Sequence, residues 1–371
     1  MQAVILVGGE GTRLRPLTSG TPKPIVTFVD RPFIGFMLEW LAGHGVEDVI
    51  MSCGFLATKV KAVLGDGSDF GVRLRFVEEP EPRGTAGALK YAEELLEDRF
   101  LMLNGDVLTD VDVSAQIAQH ERTGAAGTLG LVPVADPSAY GLVLTRAEGE
   151  VTGFLEKPGP DQLEGMTEYL ISAGIYVLER AVLDRIEPGG KVSIETQVWP
   201  QMVDEGLYGY ASRDTYWMDI GTPDCYLQGT GDILLGAVRT AVGARLDAQR
   251  QSLAAGTVAD GATVTGAVIV EEGARVAAGA RVVGPTVLGR GVTVAGGAVV
   301  ERSVVLDGSS VAAGAHVADA ILSPHVAIGE RTVVQGQAVL GEGVSVGADC
   351  KLDRGIKLFP GTQLKDGAVR F

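Results

Sequence analysis

A valine repeat in the last third of the chain most strongly limits the fold that this sequence can adopt. Valines recur there every six residues, and glycine or alanine fills many of the positions between them. The repeat comprises Val258, Val264, Val270, Val276, Val282, Val305, Val311, Val317, Val333 and Val339. Such hexads are typical of a parallel β-helix, in which each hexad forms one flat side of a coil. At about 18 residues per triangular coil, residues 259–371 should form about six coils, with irregular corners near Pro285, Pro324 and Pro360.

The first 235 residues have a different pattern, in which strand-like and helix-like segments alternate as in an α/β domain. Strands are predicted over residues 48–53, 73–79 and 100–103, and helices over residues 59–64 and 86–97. These strands are apolar enough to be buried in a sheet that helices cover on both faces. We predict a Rossmann-like, mostly parallel sheet sandwiched by helices over residues 1–235, then a connector helix over residues 236–258.

A glycine-rich loop follows the first apolar strand, which begins at Ala3. Gly8, Gly9 and Gly11 allow the backbone N–H groups to approach an anion closely. Arg13 adds a planar fork of donors, and Lys23 adds a compact charge between two prolines. The segment lacks the P-loop pattern and the third glycine of a dinucleotide fingerprint. A tight turn would explain the glycines alone, but the added cations favour a phosphate-binding loop.

The overall charge limits the partners that this loop can serve. The net charge is −16 and the pI is near 4.7, which argues against a general binder of nucleic acid or of anionic membranes. Cys53, Cys225 and Cys350 are too dispersed to indicate a disulfide framework or a zinc site. No apolar run approaches the length of a membrane span, and no signal peptide is recognisable. We therefore expect a cytoplasmic protein that binds small anions.

Ordered motifs along the whole chain resemble those of the sugar-1-phosphate nucleotidyltransferases, also called nucleotide-sugar pyrophosphorylases. The motifs are Gly8-Gly9-x-Gly11-Thr12-Arg13-Leu14-x-Pro16-Leu17-Thr18, Pro22-Lys23-Pro24, Gly84-Thr85-Ala86-Gly87, Asn104-Gly105-Asp106, Tyr140-Gly141, Phe154-Leu155-Glu156-Lys157-Pro158, Ala173-Gly174-Ile175-Tyr176 and Trp217-Met218-Asp219-Ile220-Gly221. The family joins a nucleoside triphosphate to a sugar 1-phosphate and releases pyrophosphate. The branch that the chain most resembles, the mannose-1-phosphate guanylyltransferases, carries a hexapeptide-repeat tail, and the resemblance implies that this β-helix is left-handed.

The resemblance also implies roles for individual residues. The catalytic set would be Arg13, Lys23, Asp106, Lys157 and Asp219. Asp106 and Asp219 would bind Mg²⁺, which is suited by two carboxylates together with phosphate oxygens. The nucleotide would contact Leu6, Gly8, Gly9, Gly11, Thr12, Arg13, Lys23, Glu79, Pro82, Gly84 and Asp106. The sugar phosphate would contact Tyr140, Gly141, Glu156, Lys157, Ser172, Gly174 and Trp217.

Two of these positions bear on substrate choice. The carboxylate of Glu79 can accept hydrogen bonds from the N1–H and N2–H₂ edge of guanine but offers no donor to uracil or thymine, so it favours GTP. A solvated turn at Glu78 and Glu79 is the alternative explanation. Many guanylyltransferase relatives have asparagine where this chain has Ser172, so one sugar contact could differ. The expected reaction is GTP with mannose 1-phosphate to GDP-mannose.

Other functions stay open at this point. Within the family, the alternative is a glucose-1-phosphate thymidylyl-, uridylyl- or adenylyltransferase. The β-helix could instead be an acyltransferase, for which His316 and His325 are the candidate bases. A non-catalytic regulatory subunit is the third class, and the intact set of candidate catalytic residues argues against it. We also expect a homo-oligomer, formed through the β-helix, the catalytic domain or both.

Overall fold

The computed structural model describes residues 1–54, 56–246 and 252–369. These residues divide into two compact units. The first unit comprises Met1–Gly9 and Ile34–Trp217, and the second comprises Glu10–Phe33 and Met218–Phe371. The segment that carries Arg13 and Lys23 therefore belongs to the same unit as the C-terminal residues.

A nine-stranded sheet forms the centre of the first unit. Its strands are β1 (Gln2–Val7), β2 (Asp48–Cys53), β3 (Arg73–Glu78), β4 (Arg99–Asn104), β5 (Gly127–Pro133), β6 (Gly141–Thr145), β7 (Val151–Glu156), β8 (Leu170–Glu179) and β9 (Leu207–Ala211). The strand order is β7-β6-β8-β4-β1-β2-β3, and β5 pairs with both β8 and β9. Ala3, Val4 and Ile5 of β1 are fully buried, as expected for a strand in the middle of a covered sheet.

The predicted α/β fold is confirmed, with a sheet that is mixed. Strands β1, β2, β3 and β4 are parallel to their neighbours within this group. Strand β8 runs antiparallel to β4, β5 and β6, and β6 runs antiparallel to β7. The carboxyl ends of parallel strands lie at one edge of a sheet. The loops that follow β1 to β4 therefore lie near one another at that edge.

Eight α-helices lie among the described residues. They are Phe33–Gly43, Ala57–Leu64, Gly84–Tyr91, Val113–Thr123, Pro160–Leu163, Trp199–Met202, Pro223–Leu235 and Ala241–Arg245. Short strands occur at Thr27–Phe28, Arg31–Pro32, Val107–Thr109 and Trp217–Asp219. No helix in the described ranges is both long enough and apolar enough to cross a membrane.

The predicted boundaries agree with the structure for most elements. The strand over residues 48–53 is confirmed with the predicted bounds. The strand at 73–79 ends one residue earlier, and the strand at 100–103 is one residue longer at each end. The helix predicted over residues 86–97 ends at Tyr91, because the chain tightens there into a 3₁₀ turn at Glu93–Leu95. The helix predicted over residues 59–64 begins two residues earlier, at Ala57.

The connector predicted over residues 236–258 is not one continuous helix in the part of it that the structure describes. Helix Pro223–Leu235 ends because Gly236 adopts a left-handed conformation with φ of 80° and its N–H bonds to the Ile233 carbonyl. Only Ala241–Arg245 is helical beyond it, and residues 247–251 of the predicted connector lie outside the described residues.

The C-terminal part of the second unit is the predicted β-helix, built from three ladders of parallel strands. The first ladder contains Leu253–Ala254, Val268–Val270, Thr286–Leu288, Val304–Val305, Ile321–Leu322, Val339–Leu340 and Lys357–Leu358. The second contains Thr257–Val258, Arg275–Val276, Thr293–Val294, Ser310–Val311, Ala327–Ile328, Ser345–Val346 and Gln363–Leu364. The third contains Thr263–Thr265, Arg281–Val283, Val299–Glu301, His316–Ala318, Val333–Val334 and Lys351–Leu352. The first strand therefore precedes residue 259, where the β-helix was predicted to begin.

The hexad register was predicted correctly for the first coils and wrongly for the last two valines. Val305, Val311 and Val317 join the buried core, but its next members are Leu322, Ile328, Val334 and Leu340. The corners at Arg302 and Asp319, both at positive φ, each shorten one side by a residue. Counted in sixes from Val317, the core would fall at positions 323, 329, 335 and 341, and the shortened side places it one residue earlier. Val333 and Val339 therefore lie beside the core positions Val334 and Leu340 rather than on them. These corners, rather than Pro285 and Pro324, shift the register.

Candidate active site

Three of the predicted site residues follow neighbouring parallel strands of the first unit. Gly8 follows β1, Glu79 follows β3, and Asp106 lies two residues beyond β4. An ideal Cβ placed on Gly8 would lie 3.7 Å from Oε1 of Glu79, so the glycine and the carboxylate face each other closely. Leu6 is half-buried on β1, where its carbonyl accepts a hydrogen bond from the Gly105 N–H at 3.0 Å. Leu6, Gly8, Glu79 and Asp106 of the predicted nucleotide set therefore all lie on or just beyond parallel strands of this unit.

Two hydrogen bonds hold the Glu79 carboxylate in place. The Ser52 hydroxyl donates to Oε1 at 2.8 Å, and the Arg83 N–H donates to Oε2 at 3.4 Å. The sequence analysis did not identify Ser52, although a serine inside the apolar strand β2 was the available signal. The neighbouring Cys53 is buried, and this burial together with Glu79 and Glu78 raises the pKa of its thiol to about 12. Cys53 is thus a protonated, inert thiol near neutral pH.

The remaining residues of the predicted nucleotide set differ in their environment. Gly9 and Pro82 are exposed. Gly84 begins a helix at φ +70°, and a Cβ there would lie 2.5 Å from the Val192 carbonyl oxygen. The structural reason for glycine at 84 is therefore close packing of the helix start against residue 192.

A second group in the first unit gathers most of the predicted sugar-phosphate residues. The rings of Tyr140 and Trp217 meet edge to face with centroids 5.8 Å apart. The Lys157 N–H donates to the Tyr140 carbonyl at 3.0 Å, and Gly141 pairs with Glu156 across strands β6 and β7. A Cβ on Gly141 would lie 3.1 Å from Oε2 of Glu156. Glu156 and Lys157 have exposed side chains, available to a ligand.

Ser172 and Gly174 lie on β8, and Gly174 approaches Asn104 at the end of β4. The Trp217 indole N–H donates to the Ala173 carbonyl at 2.9 Å, which connects this strand to the aromatic pair. Gly174 has φ of +72°, and a Cβ there would come within 2.8 Å of the Asn104 amide nitrogen. The Ser172 hydroxyl lies 3.0 Å from the Tyr176 hydroxyl, whose pKa is raised by burial. The side chain of Ser172 is therefore engaged within the protein.

The loop predicted to bind phosphate, residues 11–23 of the second unit, is held by its own contacts. Gly11 adopts a left-handed conformation before the turn Thr12–Leu14, and Thr12 is exposed. The Thr18 hydroxyl donates to the Gly11 carbonyl at 2.7 Å. A Cβ on Gly11 would lie 3.1 Å from the Cβ of Lys23, so the close approach of these two segments requires glycine.

Both predicted cations of this loop meet Asp219 in the same unit. Arg13 Nη2 lies 3.4 Å from Oδ2 of Asp219, and Lys23 Nζ lies 3.6 Å from Oδ1. The Lys23 side chain is 11% exposed, whereas that of Arg13 is 65% exposed. Oδ1 of Asp219 is buried and has no hydrogen-bond partner among the described residues. The sequence analysis assigned these three residues to one reaction, and the structure brings them together.

The described ranges contain no group of three or more histidine, cysteine or acidic side chains that could hold a metal ion. A Mg²⁺ site would therefore use fewer protein ligands and more oxygens from substrate or water, as Mg²⁺ commonly does. In the β-helix, His316 Nε2 lies 3.1 Å from Oε1 of Glu301 on the preceding coil, and His325 is exposed at a corner with φ of 61°.

Family comparisons agree with both parts of the chain. Residues 2–235 match the nucleotidyl transferase family model, and residues 264–368 match the model described as GMPPB C-terminal domain. A mannose-1-phosphate guanylyltransferase of Mycobacterium tuberculosis is 38% identical over 72% of this chain and 75% of its own length. A mannose-1-phosphate guanyltransferase of Schizosaccharomyces pombe is 40% identical over 62% of this chain and 63% of its own length. The "Probable mannose-1-phosphate guanylyltransferase 3" of Oryza sativa subsp. japonica is 33% identical over the whole chain and 99% of its own length.

Solved structures with the same fold cover 61% of the chain. The crystal structure of HddC from Yersinia pseudotuberculosis superposes with a TM-score of 0.54 at 28% identity, covering 61% of this chain and 96% of that one. The structure of HddC complexed with GMP-PN has a TM-score of 0.52 with the same identity and coverage.

Proposed function

Because the chain belongs to the nucleotidyl transferase family, we propose that it transfers GMP from GTP to mannose 1-phosphate, forming GDP-mannose and pyrophosphate. A phosphate oxygen of the sugar attacks the α-phosphorus of GTP. The bond between that phosphorus and the oxygen bridging to the β-phosphate breaks, and pyrophosphate leaves with its electron pair. Catalysis of this kind depends on positioning and charge stabilisation more than on covalent help from the protein.

The observation that best supports guanine as the base is the Glu79 carboxylate beside Gly8, at the end of strand β3. The missing side chain of Gly8 leaves room next to two acceptor oxygens. Guanine offers two adjacent donors, N1–H and N2–H₂, whereas the other common bases lack this pair.

We assign the triphosphate to Arg13 and Lys23. Arg13 is exposed and can move toward a ligand, while Lys23 is nearly enclosed and already positioned by its neighbours. Both cations contact Asp219 in the structure, and phosphate oxygens would compete for them when GTP binds. Their role is to stabilise the negative charge that develops as pyrophosphate leaves.

We further propose that Asp106 and Asp219 contribute carboxylates to Mg²⁺. The fit rests on the buried Oδ1 of Asp219, which accepts no hydrogen bond from any residue that the structure describes, and on the half-buried Asp106 beyond the end of β4. When bound, Mg²⁺ would neutralise phosphate charge. Asp219 has a second role in the chain itself, since its charge holds Arg13 and Lys23 in place.

For the sugar phosphate, we assign Lys157 to the phosphate and Glu156 to sugar hydroxyls. The aromatic pair of Tyr140 and Trp217 and the backbone at Gly141 and Gly174 would form the surface on which the hexose lies. The left-handed backbone at Lys157, with φ of 46°, supports this role because strained conformations often accompany functional positions.

The test is pyrophosphate release measured for GTP, dTTP, UTP and ATP, each with the 1-phosphates of mannose, glucose and N-acetylglucosamine. GTP with mannose 1-phosphate should have the highest kcat/KM. A preference for dTTP, UTP or ATP with glucose 1-phosphate would establish the alternative within the family. Absence of pyrophosphate release from every pair would identify a non-catalytic subunit.

The acyltransferase alternative for the β-helix requires an accessible base. The His316 ring lies within hydrogen-bond distance of Glu301, an arrangement that would orient a catalytic base but that also occurs as a simple link between coils. Transfer of an acetyl group from acetyl-CoA to a sugar acceptor would support that activity, and its loss in His316→Ala would assign it.

We also propose that the chain forms a homo-oligomer and acts in the cytoplasm. Phe359, in the last coil, has 54% of its surface exposed and offers apolar area for self-association. Sedimentation of the full chain should give a larger species than a chain ending near Ala254. Equal association states would contradict a role for the β-helix.

A further inference from the structure

Ser52 is a polar residue in a strand that is otherwise mostly apolar, and its contacts indicate a role at the proposed base site. It is fully buried in β2, and its hydroxyl donates to Oε1 of Glu79 at 2.8 Å. Burying a hydroxyl costs free energy unless it is hydrogen-bonded, and the hydrogen bond to Glu79 offsets this cost for Ser52. The partner is the carboxylate assigned above to the base.

The hydrogen bonds that Glu79 makes within the protein leave acceptor positions on its carboxylate for a ligand. A carboxylate has about four acceptor positions, two on each oxygen. Ser52 uses one on Oε1, and the Arg83 N–H uses one on Oε2 at 3.4 Å. One position thus remains on each oxygen, and Oε1 lies 3.7 Å from the point where a side chain at Gly8 would begin.

We propose that Ser52 is a positioning residue for base selection: its hydroxyl orients Glu79 so that both carboxylate oxygens accept hydrogen bonds from guanine. This proposal rests on the function proposed above, in which Glu79 contacts N1–H and N2–H₂. Without the Ser52 hydroxyl, the carboxylate of Glu79 loses the shorter of its two hydrogen bonds, at 2.8 Å against 3.4 Å, and can rotate about its side-chain bonds. Its two oxygens then no longer face the two donors together.

The experiment compares GTP with ITP, whose base keeps N1–H but lacks the N2 amino group. The ratio of kcat/KM for GTP to that for ITP is measured with mannose 1-phosphate in wild type, Glu79→Gln and Ser52→Ala. A correctly placed pair of hydrogen bonds should give wild type a ratio of roughly 5 to 150. Ser52→Ala should reduce the ratio at least fivefold, by lowering activity with GTP more than with ITP.

Two further variants keep the test interpretable. Ser68→Ala removes the same kind of bond, a serine hydroxyl donating to a carboxylate, at an exposed turn, and should leave the ratio unchanged. Ser52→Thr keeps the hydroxyl and should retain most of the ratio. Thermal unfolding of each variant shows whether it is folded, and if Ser52→Ala is not, Ser52→Cys is measured in its place.

The outcomes separate the two proposals. If Glu79→Gln lowers the ratio and folded Ser52→Ala does not, the positioning role is wrong while the role of Glu79 stands. If neither variant changes the ratio, guanine is not bound through Glu79, and the inference about Ser52 fails with it. If wild type prefers another nucleoside triphosphate to GTP, the proposed function itself is wrong.

Discussion

The ammonium group of Lys23 lies 3.6 Å from Oδ1 of Asp219, and this pair joins the phosphate-binding loop to the segment that follows Trp217. Lys23 is largely enclosed, so the ion pair is screened less by water than a surface pair would be. Arg13 meets the other carboxylate oxygen of the same residue. Asp219 therefore contacts both cations, one with each carboxylate oxygen.

Asp219→Asn should lower kcat at least 100-fold, because it removes the charge that orients two cations and that we assign to Mg²⁺. The measurement is pyrophosphate release across a range of Mg²⁺ concentrations, and the variant should also need more Mg²⁺. Asp224→Asn is the matched control, since Asp224 is an exposed aspartate on the helix that begins at Pro223. A kcat for Asp219→Asn within threefold of wild type would refute both roles.

Gly174→Ala should reduce activity strongly and destabilise the protein by about 1–3 kcal/mol. The added Cβ would meet Asn104, and the positive φ is itself unfavourable for alanine. Gly165→Ala separates these effects, because Gly165 has φ of +82° but open space around it. Activity and thermal unfolding are measured for both. Equal losses in the two variants would show that contact with Asn104 is irrelevant.

Tyr226→Phe should weaken use of the nucleotide more than use of the sugar phosphate. The buried Tyr226 hydroxyl donates to the Thr27 carbonyl, and its ring meets Phe28 edge to face at 5.0 Å. Removing the hydroxyl leaves that carbonyl without a partner, at a cost of about 1–3 kcal/mol, close to the segment that carries Lys23. The check is KM for each substrate, with Tyr208→Phe as control. A selective rise in KM for mannose 1-phosphate would contradict the expectation.

The stability of the chain should fall as the pH drops below about 6.5, in a manner that depends on His120. Burial lowers the pKa of this ring, although Glu179, 3.1 Å away, acts in the opposite direction. In that range the unfolded chain binds a proton at His120 that the folded chain does not, so acid favours unfolding. One such proton contributes at most about 1.4 kcal/mol per pH unit.

The measurement is the unfolding temperature of wild type and His120→Gln across this pH range. The variant lacks the titrating ring, and its unfolding temperature should therefore change less with pH, even if it is lower at neutral pH. The exposed histidine variant His325→Gln should behave as wild type. A steeper pH dependence in His120→Gln than in wild type would show that the sign is wrong.

Much of the fold followed from local patterns in the sequence. The apolar strand before Gly8 and the strand over residues 48–53 were predicted because buried parallel strands are uniformly apolar. The hexads predicted a β-helix because its period is set by the geometry of one coil. The register beyond Val317 was not predictable, since each shortened corner changes the phase without a clear sequence signal.

By itself, the sequence determined which residue types could perform the chemistry and that Gly8 and Asp106 follow strands. Only the tertiary structure decided which of them meet. The pairing of Lys23 with Asp219 and the bond from Ser52 to Glu79 connect positions far apart in the chain. Such contacts depend on the packing of whole elements, whereas motifs and periods depend on a few neighbouring residues. The sequence thus specifies which chemical groups are available, and the folded chain determines how each group is oriented.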